Sequence, residues 1–282
     1  MTKIFYPMML EPARSGLLVE QGLKNNKNIE LVNSSDDADY VFFHNEMIDS
    51  NILRDLPKDR TVMIDFRDWK EDIEGTFIAY FKRSWRKELH SHLPFTTFAI
   101  MDEFLVEEDI PRDIDVGCTL RYGGTYGFKK RKRVLDTLHA TDFSPFSAQI
   151  GEVNTIRRDS FNREYLRTLK RTKICVSCIP DYFMGDHRTW EALANGCLLF
   201  IDNWREWELP YKNPLIDGKH CIMYDVTEDG MKEMVEKIRY YLEHPKKAEA
   251  IAKQGHEFAM KHHRASNRID EIMEVLNGIQ KS

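Results

Sequence analysis

The side chains best suited to chemistry lie in one run, Ile174 to Asp202. An apolar stretch, Ile174 to Ile179, leads into a loop that contains Gly185, and Asp186 then opens a segment with helical spacing. Asp suits the position before a helix because its carboxylate accepts first-turn N–H bonds. Trp190, Leu193, Ala194 and Cys197 fall on one stripe, while Arg188 and Glu191, three apart, share another face. Gly196 suits the left-handed residue that ends a helix. A helix amino end carries free N–H donors and partial positive charge, so it favours a phosphate. Arg188 adds a forked donor that matches a diphosphate. Glu191, one turn on, could accept hydrogen bonds from ribose hydroxyls. The same two residues also fit an ordinary Arg–Glu surface pair on a core helix.

A second run, Cys118 to Arg133, places Arg121 at the end of an apolar stretch, then Gly123, Gly124 and Gly127, then five consecutive basic residues from Lys129. Glycines let backbone N–H groups approach an anion closely. The alternatives are a surface turn and a solvated basic face for Lys129 to Arg133. Cys175 and Cys178 form a CxxC, but inside an apolar run that reads as a buried strand, so core packing is expected rather than redox chemistry. No second pair completes a zinc set at the usual spacing, and no metal is expected.

These residues need elements to hold them. Short apolar runs at Lys3 to Met9, Glu30 to Val32, Tyr40 to Phe43, Thr61 to Ile64 and Phe98 to Met101 alternate with helical segments. A second alternation begins at Asp115, with strands expected at Asp115 to Leu120, Ser147 to Ile150, Ile174 to Ile179, Cys197 to Ile201 and His220 to Tyr224. From Met231 the spacing is helical. Apolar runs separated by helices predict parallel sheets with both faces covered. The fold class expected is therefore α/β, with two Rossmann-like domains facing a cleft. The acidic stretch Glu107 to Asp109, followed by Pro111, marks the boundary, giving domains 1–110 and 111–282, with a terminal helix able to cross back.

The 282 residues are 42% hydrophobic and 31% charged, which excludes a disordered chain and supports buried cores. The net charge of -5 is too mild to indicate nucleic acid. It is uneven: residues 1–110 hold 13 basic and 21 acidic side chains, and the remainder 28 and 25, so the second part better suits an anionic ligand. No run approaches the ~18 apolar residues of a membrane span, and Met1 to Leu10 lack the pattern of a signal peptide. With an odd number of cysteines, five, this reads as a cytoplasmic chain with reduced thiols.

The pattern Gly185, Asp186, Arg188, Glu191-Ala192, Gly196-Cys197, four apolar residues and Asp202 resembles the donor-binding half of GT-B glycosyltransferases, most of all the exostosin-like (family 47-like) group. That group commonly has Ser where Asp186 stands; both residues cap helices. The resemblance covers roughly residues 115 to 270. It implies transfer of a sugar from a nucleotide donor, usually UDP-linked and UDP-xylose among the options, to a hydroxyl of a glycan acceptor. It implies no obligatory metal or other cofactor, because a helix dipole and basic side chains stabilise the leaving diphosphate. Arg121, Gly185, Asp186, Arg188 and Glu191 would bind the donor. The alternatives are a nucleotide-sugar epimerase on the same fold and a non-catalytic nucleotide- or carbohydrate-binding protein.

An inverting transferase also needs a base for the acceptor hydroxyl. In open α/β sheets such groups gather beyond strand C-termini. Eligible ends are His44 to Glu46, Asp65 to Asp68, and Asp102. Asp65 leads this set as the candidate catalytic residue, with Asp68 and His44 behind it. The alternative for each is a loop carboxylate or an Arg67 ion pair. Trp69, Tyr182 and Phe183 could stack on sugar or base, although most aromatics are core.

Overall fold

Runs rich in β-branched and aromatic residues form the strands, and their burial on both faces makes the sheets parallel. The computed structural model describes residues 1–7, 14–44, 56–67, 72–83, 93–94, 98–121, 129–152, 161–179, 185–203 and 212–279. Asp68, Trp69, Gly123, Gly124, Gly127, Tyr182 and Phe183 lie outside them. The first sheet contains β1 (Thr2–Phe5), β2 (Ile29–Val32), β3 (Tyr40–His44), β4 (Thr61–Asp65), β5 (Ala79–Lys82) and β6 (Leu93–Pro94), in the order β2-β1-β3-β4-β5-β6. The second contains β7 (Ile114–Leu120), β8 (Ala148–Glu152), β9 (Thr172–Ser177), β10 (Leu198–Asp202) and β11 (Ile222–Tyr224), in the order β11-β10-β9-β7-β8. Every pairing among these strands is parallel. The expected α/β architecture with two parallel sheets is what the chain adopts.

Helix α1 (Arg14–Lys24) joins β1 to β2. In the second sheet α2 (Lys129–His139), α3 (Arg163–Arg171) and α4 (His187–Ala194) lie between successive strands. Three more helices follow β11: α5 (Glu228–Glu243), α6 (Pro245–His262) and α7 (Ala265–Ile279). In the second sheet β7, the first strand in sequence, lies between β8 and β9. The order therefore reverses at the carboxyl ends of β7 and β9, the place where open α/β sheets hold ligands. In the first sheet the equivalent reversal lies between β1 and β3.

The chain forms two compact units, the first mainly Met1–Ala99 with Arg264–Ser282, the second Ile100–Arg157 with Phe161–His263. The division thus falls ahead of the acidic stretch expected to mark it. The reason is Asn195, whose amide donates to the Phe104 carbonyl at 2.8 Å and accepts from the Val106 N–H at 3.2 Å, tying this stretch to the second unit. Helix α7 packs in the first unit, where Ile269, Ile272 and Leu276 join Val19 and Leu23 in one core with Phe42 and Ile64. Two local expectations also change. Phe98 to Met101 is buried but is no strand; Ile100 N–H donates to the His263 carbonyl at 2.7 Å. Ala79–Lys82, not anticipated as a strand, is buried along its whole length because the charge on Lys82 is paired.

A close helix contact fixes α7 on α1. A Cβ on Gly22 would run into Ile269 and come to 2.7 Å from the Ala265 carbonyl oxygen. Ala is favoured over Gly in helices by ~1 kcal/mol. Gly22→Ala should nevertheless destabilise the first unit by about 1–3 kcal/mol, through overpacking. Urea unfolding would check the sign, and a stabilised variant would contradict the packing of α7 on α1.

Candidate functional site

The second unit brings its charged groups to the reversal between β7 and β9. Strand β9 ends at Ser177, and Gly185 resumes the described chain with φ 87°, a left-handed conformation that suits glycine. Asp186 is the N-cap of α4: its Oδ1 accepts from Thr189 N–H at 2.9 Å and from the Thr189 hydroxyl at 2.8 Å. Its Oδ2 accepts from Ser177 Oγ at 3.2 Å and from Arg131 Nη2 at 3.1 Å. Arg188 Nη1 lies 3.6 Å from the same oxygen. Gly196 ends the helix with φ 70°, as a left-handed cap requires.

Arg188 is the notable cation here. Its side chain is only 12% exposed, and its Nε has no hydrogen-bond partner among the described residues. Burial pulls its pKa down, but the neighbouring Tyr165, Asp186 and Glu191 hold it above the ordinary value, so the guanidinium stays charged. Glu191 is buried and accepts from the Tyr165 hydroxyl at 3.0 Å. Arg121 is exposed at the end of β7, and its carbonyl accepts from Arg131 Nη1 at 3.2 Å. A second ion pair lies beside these: Lys130 Nζ is 2.7 Å from Asp202 Oδ2, and Asp202 Oδ1 accepts from Ile179 N–H at 2.7 Å. Burial raises the Asp202 pKa against the opposing pull of Lys130.

Arg131 was not singled out by the sequence. The basic run Lys129 to Arg133 reads as a solvated face, yet Arg131 is 6% exposed. The missed signal was spacing. Arg131 precedes Val134, Leu135 and Leu138, the buried stripe of α2, by three, four and seven residues. Cys175 and Cys178 are buried free thiols in and next to β9, and burial pushes both pKa values well up, as core packing would have it.

In the first unit the expected residues have other surroundings. Asp65 is fully buried at the end of β4. Its carboxylate accepts from Arg67 Nε at 3.0 Å, Tyr80 Oη at 2.6 Å and Lys82 Nζ at 3.0 Å. Burial raises its pKa, but the bonds from Arg67, Tyr80 and Lys82 outweigh that and leave it below the usual 3.8. A carboxylate sealed from solvent and held by three side chains is a poor proton acceptor; here it anchors the strand ends. His44 sits at the end of β3, at the reversal of the first sheet, with its ring 5.9 Å from that of Tyr6 and 6.0 Å from that of Phe66. Burial lowers its pKa to about 4, so it is neutral at pH 7. Asp102, itself exposed, begins a turn of 3₁₀ helix. Asp68 lies outside the described residues.

Residues 130–274, just over half of the chain, match the family described as glycosyl transferase-like, and the chain belongs to that family. Its fold is that of GT-B glycosyltransferases. The Anabaena protein Alr3699/HepE, solved in complex with UDP-glucose, superposes with a TM-score of 0.60 at 11% identity, covering 99% of this chain and 100% of that one. An alpha-glucosyltransferase solved with UDP gives a TM-score of 0.60 at 11% identity, covering 98% and 99%. An alpha1,3-fucosyltransferase gives 0.53 at 12% identity, covering 100% and 90%. No curated protein matches the sequence. Among the described residues, no helix is long and apolar enough to cross a membrane.

The Asp65 cluster carries a stability prediction. Asp65→Asn leaves the buried Lys82 ammonium without its nearest carboxylate and should cost about 3–5 kcal/mol in chemical denaturation. Because its folded pKa is depressed, the Asp65 contribution is fully present above pH ~4 and is lost as pH falls through the folded value. The variant should therefore lose less stability than wild type on going from pH 5 to pH 3. Equal acid sensitivity in both would contradict this pairing.

Proposed function

We propose that the chain transfers a sugar from a UDP-linked donor to an acceptor hydroxyl, without a metal ion. The observation that carries this is Arg188: a largely enclosed, charged guanidinium in the first turn of α4, with an unsatisfied Nε, at the reversal point of a parallel sheet. Cleavage of a nucleotide sugar leaves negative charge on the diphosphate, and a fixed cation in a low-dielectric site stabilises it with little reorganisation. The partial positive charge at the amino end of α4 adds to this. Arg121, exposed beside the site, is the second phosphate contact, Gly185 allows the backbone to approach, and Glu191 takes the ribose hydroxyls.

Glucose heads the sugars to test, since one similar structure was solved with UDP-glucose and another is an alpha-glucosyltransferase, and xylose, raised by the exostosin-like pattern, stands second. The acceptor is read as a glycan hydroxyl. His44 and Asp68 are the proton acceptors to test. His44 is neutral at pH 7, as a base must be, but its low pKa makes it a weak one.

A thermal-shift screen of nucleotide sugars tests the donor directly. A ligand at 100 times its Kd adds about 2.7 kcal/mol of stability, a readily measured rise in Tm. Arg188→Ala should abolish most of that rise and lower turnover about a hundredfold or more. If the variant folds and keeps near-normal transfer, Arg188 has no role in the chemistry. Incubation with UDP-sugar alone separates transfer from epimerisation, because an epimerase converts the free donor.

A further inference from the structure

Asp186 puts a carboxylate beside the cation that the donor site relies on. Its Oδ2 is 3.6 Å from Arg188 Nη1, close enough to draw the guanidinium into an ion pair and repel a diphosphate. The structure shows a competing cation on that same oxygen. Arg131 Nη2 is nearer, at 3.1 Å, and both Arg131 and Asp186 are buried, so the attraction between them is weakly screened. The rest of the Arg131 guanidinium is held by backbone. Nε donates to the Cys178 carbonyl at 2.7 Å and Nη1 to the Arg121 carbonyl at 3.2 Å. One side chain thus joins the end of β7, the end of β9 and the cap of α4.

We propose that Arg131 is a positioning residue of the donor site: it neutralises the Asp186 carboxylate and so leaves Arg188 available to a nucleoside diphosphate. This rests on the donor reading given above. Arg131 itself is fully engaged and touches no ligand. Its effect is exerted through Asp186, which keeps its capping role for α4 while its charge is cancelled. With Arg131 in place, two guanidinium groups share the Asp186 carboxylate, so Arg188 is not its sole counter-ion. Without it, Arg188 is left as the guanidinium beside Asp186, and the site has one positive charge fewer to offer a phosphate.

The test uses R131Q and D186N in the full chain, with UDP affinity read by calorimetry and Tm read in parallel. Both substitutions break the same buried pair, so both lower Tm. Their effects on UDP should have opposite sign. R131Q should weaken UDP binding by about tenfold or more, whereas D186N, which removes the charge beside Arg188 and keeps an amide able to cap α4, should tighten it. The double variant R131Q/D186N should return to within about threefold of wild type, the non-additivity expected of a coupled pair. If both single variants weaken UDP alike, Arg131 is merely structural and the proposal fails. It fails also if R131Q binds UDP as wild type does, or if the double variant stays as weak as R131Q. Should R131Q not fold, D186N decides alone: UDP binding no tighter than wild type overturns the proposal. A wild-type chain that binds no UDP overturns the donor reading itself, whereas wild-type binding with any of the failures above overturns only the role of Arg131.

Discussion

The second unit is organised around one carboxylate. Asp186 accepts four hydrogen bonds, two from Thr189, one from Ser177 and one from Arg131. Together they meet three obligations: starting α4, fixing that helix to the end of β9, and cancelling a buried charge. A buried carboxylate with fewer partners would carry unmet hydrogen-bonding capacity, which is costly away from water. Because it is satisfied this fully, the amino end of α4 can lie beside a buried arginine at the point where the sheet order reverses. The sheet supplies the location, the helix supplies oriented N–H groups, and the ion pairs set the sign of the local charge.

The two sheets repeat one topological device with different chemistry. At the reversal of the second sheet the groups are ionic, with Arg131, Asp186 and Arg188 near the ends of β7 and β9. At the reversal of the first sheet they are neutral and aromatic, with His44 in contact with the rings of Tyr6 and Phe66. A buried ionic cluster of the first unit lies one strand further along, where Asp65 and Lys82, with the Tyr80 hydroxyl, close the ends of β4 and β5. An ionic network that is buried and saturated holds strands; one that leaves a donor unsatisfied, as Arg188 Nε is, has capacity for a ligand.

Much of this was legible in the sequence, and the parts that were not share a cause. The parallel sheets follow from short apolar runs between helical segments, and the cap, helix and stop of α4 follow from Asp186 and Gly196. Long-range pairing could not be read this way. Asp65 looks like a loop carboxylate because its partners Tyr80 and Lys82 stand 15 and 17 residues away. Arg131 looks like surface because it sits among four other basic residues, although its spacing from Val134, Leu135 and Leu138 places it on the buried face. The acidic stretch near residue 108 suggested a domain boundary from composition, whereas two hydrogen bonds from Asn195, some 90 residues on, assign the preceding segment to the second unit. Composition and periodicity report local preference; they do not report which distant group satisfies a charge.

The most direct measurement is a crystal structure of the chain grown with uridine diphosphate. The account predicts the diphosphate at the amino end of α4, with its oxygens within hydrogen-bond distance of the Arg188 guanidinium and with Arg131 still paired to Asp186. Nucleotide bound at any other place, or an Arg188 side chain paired to Asp186 with saturating nucleotide present and none at the helix end, would contradict it.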